Sequence, residues 1–170
     1  MSATWDLEAH RLGETTFTHY ADASAHKNRM QGNDFVQSRM YEKGVRCYAC
    51  HDSHGTGQDA LLRFRGNEMC LQCHGPQRQP GPGVTPEAHS HHGVNSEGNK
   101  CVACHMPQIA TTIADVNVRS HTFNFIAPSM TDKYGIPNPC TSCHKDKPTR
   151  WAIEALDQWS NISPWRMAAR

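Results

Sequence analysis

Four stretches of this 170-residue chain repeat one spacing of two cysteines and a histidine. They are Cys47-Tyr48-Ala49-Cys50-His51, Cys70-Leu71-Gln72-Cys73-His74, Cys101-Val102-Ala103-Cys104-His105 and Cys140-Thr141-Ser142-Cys143-His144. All eight Cys are used and none is left over. CxxCH is the spacing that attaches haem c. Two thiols separated by two residues lie on one face of a helical turn, where they can add to the two vinyl groups of a porphyrin. The adjacent His then turns its imidazole to the iron as the proximal ligand. Four CxxC pairs could also make two all-cysteine zinc sites or a set of disulfides. Neither explains a His after every second Cys. With 12 His in 170 residues, four such coincidences have a chance of about 2 in 100,000.

Beyond the four motif histidines stand His10, His19, His26, His54, His89, His91, His92 and His121. These are ample for a second ligand on each iron. Met is the alternative ligand and raises the potential, but Met106 directly follows a motif and cannot easily turn back. Iron held by two His has no open position. It favours outer-sphere electron transfer over catalysis at the metal, which needs a vacant site, and it lowers the potential relative to Met. Of His89, His91 and His92, a single iron ligand is expected. Arg63, Arg65, Lys100, Arg119 and Lys133 are candidate partners for haem propionates.

The elements that must hold these groups are short. Asn33 or Asp34 can cap a helix running to about Lys43, with Phe35, Val36 and Met40 inward and Gly44 just past its end. A second short helix starts at Asn67 and carries Cys70 to His74. Residues 75–86 are rich in Pro and Gly and read as a loop or hinge. Residues 108–125 favour extended structure and one small hairpin. A last helix runs from about Thr149 to Trp159, with Ala152, Leu156 and Trp159 on one face. Only 18, 26 and 34 residues separate successive motifs, too few for independent domains, so the four haems sit close together. Hydrophobic residues make up 37% of the chain and the mean hydropathy is −0.70, a thin supply for a core. Porphyrin faces must fill much of the interior. The expected fold class is therefore mostly irregular, a few short α-helices wrapped around four haems with little β structure. Residues 1–32 form a Cys-free N-terminal segment, and 33–170 the tetrahaem domain.

The sequence resembles the multihaem c-type cytochromes with doubled CxxCH motifs, nearest to the C-terminal four-haem portion of larger members. The resemblance runs from about His19 to Trp165. It rests on the stretch Asn33 to Tyr41, on Cys50-His51-Asp52-Ser53-His54-Gly55, and on Cys104-His105-Met106-Pro107. Ser120-His121-Thr122-Phe123 and Pro137-Asn138-Pro139-Cys140 complete it. It implies distal ligands at His54, His92 or a neighbour, and His121. The residues themselves agree. His54 follows His51 too closely to reach the far face of the same porphyrin, so it would bridge to another haem. A short helix opened by Pro86 would aim His92 inward, with His89 one turn back on the same side. His121 lies beside Phe123 in the extended run. One N-terminal His, His26 ahead of His19, completes the set. The resemblance also implies export, because haem c is attached outside the cytoplasm, so an extracytoplasmic location, periplasmic or extracellular, is expected although no signal peptide is visible.

A formal net charge of +1 gives no basic stripe for nucleic acid, and no apolar run approaches a membrane span. The expected function is electron transfer along four closely packed bis-His haems c, with redox proteins or copies of the chain itself as partners. Two alternatives are a repeating subunit of an extracellular cytochrome filament and an electron-input module of a multihaem reductase. Four regular motifs count against an enzyme, which would keep one five-coordinate iron.

Overall fold

The computed structural model describes residues 19–26, 31–78, 81–111 and 116–159. Short helices joined by loops dominate. In chain order they are α1 (Gln31–Val36), α2 (Arg39–Glu42), α3 (Cys47–Cys50), α4 (Glu68–His74), α5 (Pro86–Ser90) and α6 (Cys101–His105). A hairpin of β1 (Gln108–Thr111) and β2 (Asn117–Arg119) follows, then α7 (Pro128–Tyr134), α8 (Pro139–Cys143) and α9 (Thr149–Asp157). The strands pair antiparallel, Ala110 opposite Val118, with an irregularity between Gln108 and Ala110.

The helix expected from Asn33 to Lys43 is two helices. The break falls at Gln37 and Ser38, and Ser38 caps α2 by accepting from the Tyr41 N–H at 3.1 Å. A serine that satisfies an orphan donor competes with helix continuation. Asp34 consequently lies inside α1, not at its cap, and is 2% exposed. Val36 faces outward while Phe35 is buried. Gly44 follows α2 with φ +84°, the left-handed conformation that glycine adopts without strain. The expected helices at Asn67 and Thr149 and the hairpin within 108–125 are present. On α9, Ala152 and Leu156 are buried, and the helix packs on α7 and α8.

Two small apolar clusters form the described core. Tyr20, Ile109, Ile126 and Ile136 make one, with Met130 against it. Ala25 and Ala110 make the other, beside Val118. The segment 19–26 thus packs on the hairpin, and the Tyr20 hydroxyl donates to the Ile109 carbonyl at 3.4 Å.

Candidate functional site

Each CxxCH lies on a short helical turn, as two thiols on one face require. The first and fourth place the His just past the helix end, and the second and third keep it in the last turn. The starts of the third and fourth turns are fastened by asparagines. Asn138, fully buried, accepts from the Thr141 N–H at 3.0 Å and donates to Thr131 Oγ1 at 2.9 Å. Asn67 accepts from the Cys101 N–H at 2.8 Å and donates to the Asn99 carbonyl at 2.8 Å, tying the second motif to the third. At the other end of α6, Arg119 donates to the carbonyls of Val102 and Met106 at 3.1 and 3.0 Å. Cations favour a helix C-terminus.

Motifs adjacent in sequence are adjacent in space. Burial pushes the Cys50 thiol up, and nearby Cys73 and Cys47 add to it. Cys70 hydrogen-bonds Cys101, which pushes Cys70 up and holds Cys101 down at about 7. Burial pushes Cys104 up to about 11, helped by Cys140 and Cys143. Across the described residues no three of the His, Cys, Asp and Glu side chains gather as a metal site of their own. The eight thiols are thus not grouped as all-cysteine zinc centres.

The histidines are arranged in facing pairs. His51 and His121 have ring centres 6.4 Å apart with planes at 29°. For His105 and His89 the values are 6.1 Å and 11°, and for His144 and His92 they are 6.2 Å and 40°. Each pair joins a motif His to a non-motif His. A metal–imidazole bond of about 2.0 Å plus roughly 1.1 Å from nitrogen to ring centre, taken twice, spans about 6.2 Å. All three gaps therefore fit one iron between two imidazoles.

Hydrogen bonds orient these rings. Nδ1 of His51 lies 2.7 Å from the Ala60 carbonyl, that of His121 3.0 Å from Arg119 O, and that of His92 2.6 Å from Ser90 O. A carbonyl only accepts, so each Nδ1 carries the hydrogen and leaves the Nε2 lone pair for a metal. The Ala60 carbonyl is presented by a loop that folds back, Asp52 N–H onto Leu61 O and Arg63 N–H onto Cys50 O, both at 2.9 Å. Ala60 and Leu61 there have φ of +54° and +55°, strain concentrated beside the site. Phe123 is also left-handed, φ +57°. Its backbone hydrogen-bonds His105, and its ring meets His121 edge-on at 5.9 Å. Burial pushes the pKa of His105, His121 and His89 down, which favours the neutral imidazole.

His92 and His121, two of the distal-ligand candidates, thus face motif histidines. His54 does not. It is exposed in the turn after the first motif, its backbone N–H on Asp52 Oδ1 at 3.1 Å. His89, kept open in the sequence as an alternative to His92 for a single ligand, faces His105, so two of that cluster face motif histidines. One signal could have found it: Thr85 caps α5 and Pro86 opens it, so the helix ends by residue 90. His91 takes the left-handed cap at φ +55°, and His92 leaves in a new direction. His89 and His92 therefore face different motifs instead of lying on one side. His91 stacks on Trp159 at 4.3 Å. Of the N-terminal candidates, His26 meets Tyr20 edge-on at 4.8 Å, His19 pairs with Ala25 in an isolated bridge, and His10 lies outside the described residues. Among the propionate candidates, Arg63 donates to Tyr48 O at 2.7 Å and Lys100 pairs with Glu97.

Residues 40–79 match the doubled CXXCH motif family, covering the first two motifs. Among solved structures the chain is similar to the outer cell wall cytochrome OcwA, with a TM-score of 0.57 and 19% identity. The match covers 95% of this chain and 42% of that one, so the chain spans under half of OcwA, and the likeness is one of fold. No curated protein matches the chain. Motif and fold agree from separate directions, one read from sequence and one from shape, and both support a multihaem c-type cytochrome.

Proposed function

We propose that this chain is an electron-transfer protein carrying four haems c, one on each CxxCH turn, with His on both sides of every iron. The three facing pairs carry this proposal, because their 6.1 to 6.4 Å gaps match bis-imidazole ligation. His51, His74, His105 and His144 are the proximal ligands. His121, His89 and His92 serve opposite His51, His105 and His144. An N-terminal His, His26 before His19, serves opposite His74. Haem supplies the one-electron couple that no side chain offers.

The chain's own residues do the rest. Paired imidazoles would hold each iron from both sides and would leave no open position for substrate. Nδ1 bonds to backbone carbonyls hold the rings in place whichever oxidation state is present. Thiols of successive motifs neighbour one another, Cys50 by Cys73, Cys70 by Cys101 and Cys104 by Cys140, which would keep successive haems close. Tyr48, Leu61, Phe64 and Val94 are exposed apolar side chains close in sequence to these histidines, and apolar porphyrin faces would take them out of water. Redox proteins are the partners. No described helix is long and apolar enough to cross a membrane. An extracytoplasmic site accords with where haem c is attached and with the outer-cell-wall cytochrome of similar fold.

A pyridine haemochrome assay against protein concentration tests the cofactor count, with four haems per chain expected. The ferric optical spectrum should lack a charge-transfer band in the red. Two zinc ions and no haem, or a strong red band, would overturn the proposal.

A further inference from the structure

Asp34 is a buried acid that none of the ligand chemistry requires. It is 2% exposed, and no Lys or Arg pairs with it among the described ion pairs. Its carboxylate instead accepts three hydrogen bonds from three parts of the chain. Oδ1 takes the Ala25 N–H at 3.0 Å. Oδ2 takes the Ser120 hydroxyl at 2.8 Å and the His121 N–H at 3.1 Å. Ser120 is itself fully buried and its Oγ lies 3.1 Å from Thr122 Oγ1. One carboxylate thus fastens the N-terminal segment and helix α1 to the backbone of the very histidine that faces His51.

Burying a charge costs several kcal/mol even after relaxation, yet an amide could not replace it: the Ala25 and His121 N–H groups only donate and meet different oxygens, so both oxygens must accept. A charge kept here acts on its surroundings through a medium of low polarity, where electrostatic effects are strong. We infer that Asp34 is a positioning residue that holds His121 and places a fixed negative charge beside the first-motif haem, lowering that haem's potential below what its ligands alone would set. The inference rests on His121 being the distal ligand opposite His51. The Ser120 hydroxyl partly neutralises the carboxylate by donating to it, so the two residues should act on the iron with opposite signs.

Two variants of the haem-loaded protein test this by spectroelectrochemical titration and ferric EPR. Asp34→Asn keeps the size and removes the charge, and because its NH2 cannot accept, one of the donors on the carboxylate loses its acceptor. One midpoint should rise by about tenfold in its reduction equilibrium, about 59 mV for one electron, with every iron still low-spin. Ser120→Ala removes the screening donor and should lower the same midpoint. Simple loosening would move both variants in the same direction, and that result overturns the inference, as does the absence of any shift. Conversion of one iron to high spin by both variants also overturns it, leaving Asp34 a structural tie only. If Asp34→Asn does not take up its haems, Ser120→Ala decides alone: a fall supports the fixed charge, and a rise or no change refutes it. A wild-type EPR spectrum without bis-His low-spin signals would fail the ligand assignment itself, which is a different outcome from unmoved potentials.

Discussion

The sharpest test of the facing pairs is one methyl group at Gly98. A Cβ built there would lie 2.2 Å from Cδ2, 2.6 Å from Cγ and 2.7 Å from Nε2 of His92. Ordinary contact begins near 3.4 Å, so the ring must retreat by 1.2 Å, the difference between 3.4 and 2.2 Å, or the 97–99 turn must give way. Gly98 does not have the left-handed backbone that would strain a side chain, so Gly98→Ala tests the space alone. Overpacking of this kind costs about 1–3 kcal/mol. A retreating ring also breaks its 2.6 Å bond to Ser90 O, worth about 0.5–1.5 kcal/mol. A metal–imidazole bond of about 2.0 Å does not survive a displacement of more than half its length. Gly98→Ala should therefore convert one iron in four from low to high spin, read by ferric EPR and by a new optical band in the red. His92→Ala should give the same change. Gly93→Ala, with nothing within 4 Å of its added carbon, should leave all irons low-spin. A Gly98→Ala protein that is destabilised yet fully low-spin would refute the pairing of His92 with His144 across a metal.

The other predictions follow from the same geometry. His89→Ala should convert one iron to high spin, while His54→Ala should convert none; the reverse pattern would return the third distal position to His54. Asn67→Ala removes the acceptor for the Cys101 N–H and should destabilise the holoprotein by about 0.5–2 kcal/mol, as for a lost cap, measured as a fall in the denaturation midpoint with haem content unchanged. Acid should release the paired histidines. His89, His105 and His121 have pKa values pushed below the ordinary value by burial, so the unfolded chain binds more protons than the folded one. Their contribution to stability is fully present above about pH 6.5 and is lost as pH falls from there through the lowered folded values. A pH titration followed at the low-spin optical bands should lose intensity on that acid side, and loss on raising the pH from neutral would contradict it.

Much of the chemistry was written locally. A CxxCH turn needs only five consecutive residues, so the four motifs, their helical turns and the cofactor they call for were legible from spacing alone. So were the α4 start at Asn67, the hairpin within 108–125 and the buried face of α9, because each depends on neighbours one to four residues away. The poverty of apolar residues likewise foretold the small clusters around Ile136 and Ala110. What the sequence left open was the second half of each pair. A distal ligand is chosen by three-dimensional approach, and eight spare histidines look alike in one dimension. His89 was separated from His92 by a left-handed cap at His91 that turns the chain between them. His121 was brought to His51 by a carboxylate 87 residues away, on Asp34. The split of the first helix was decided in the same way. Ser38 caps α2 and Asp34 is drawn into the interior, where Ala25, Ser120 and His121 supply donors that a helix considered by itself does not contain.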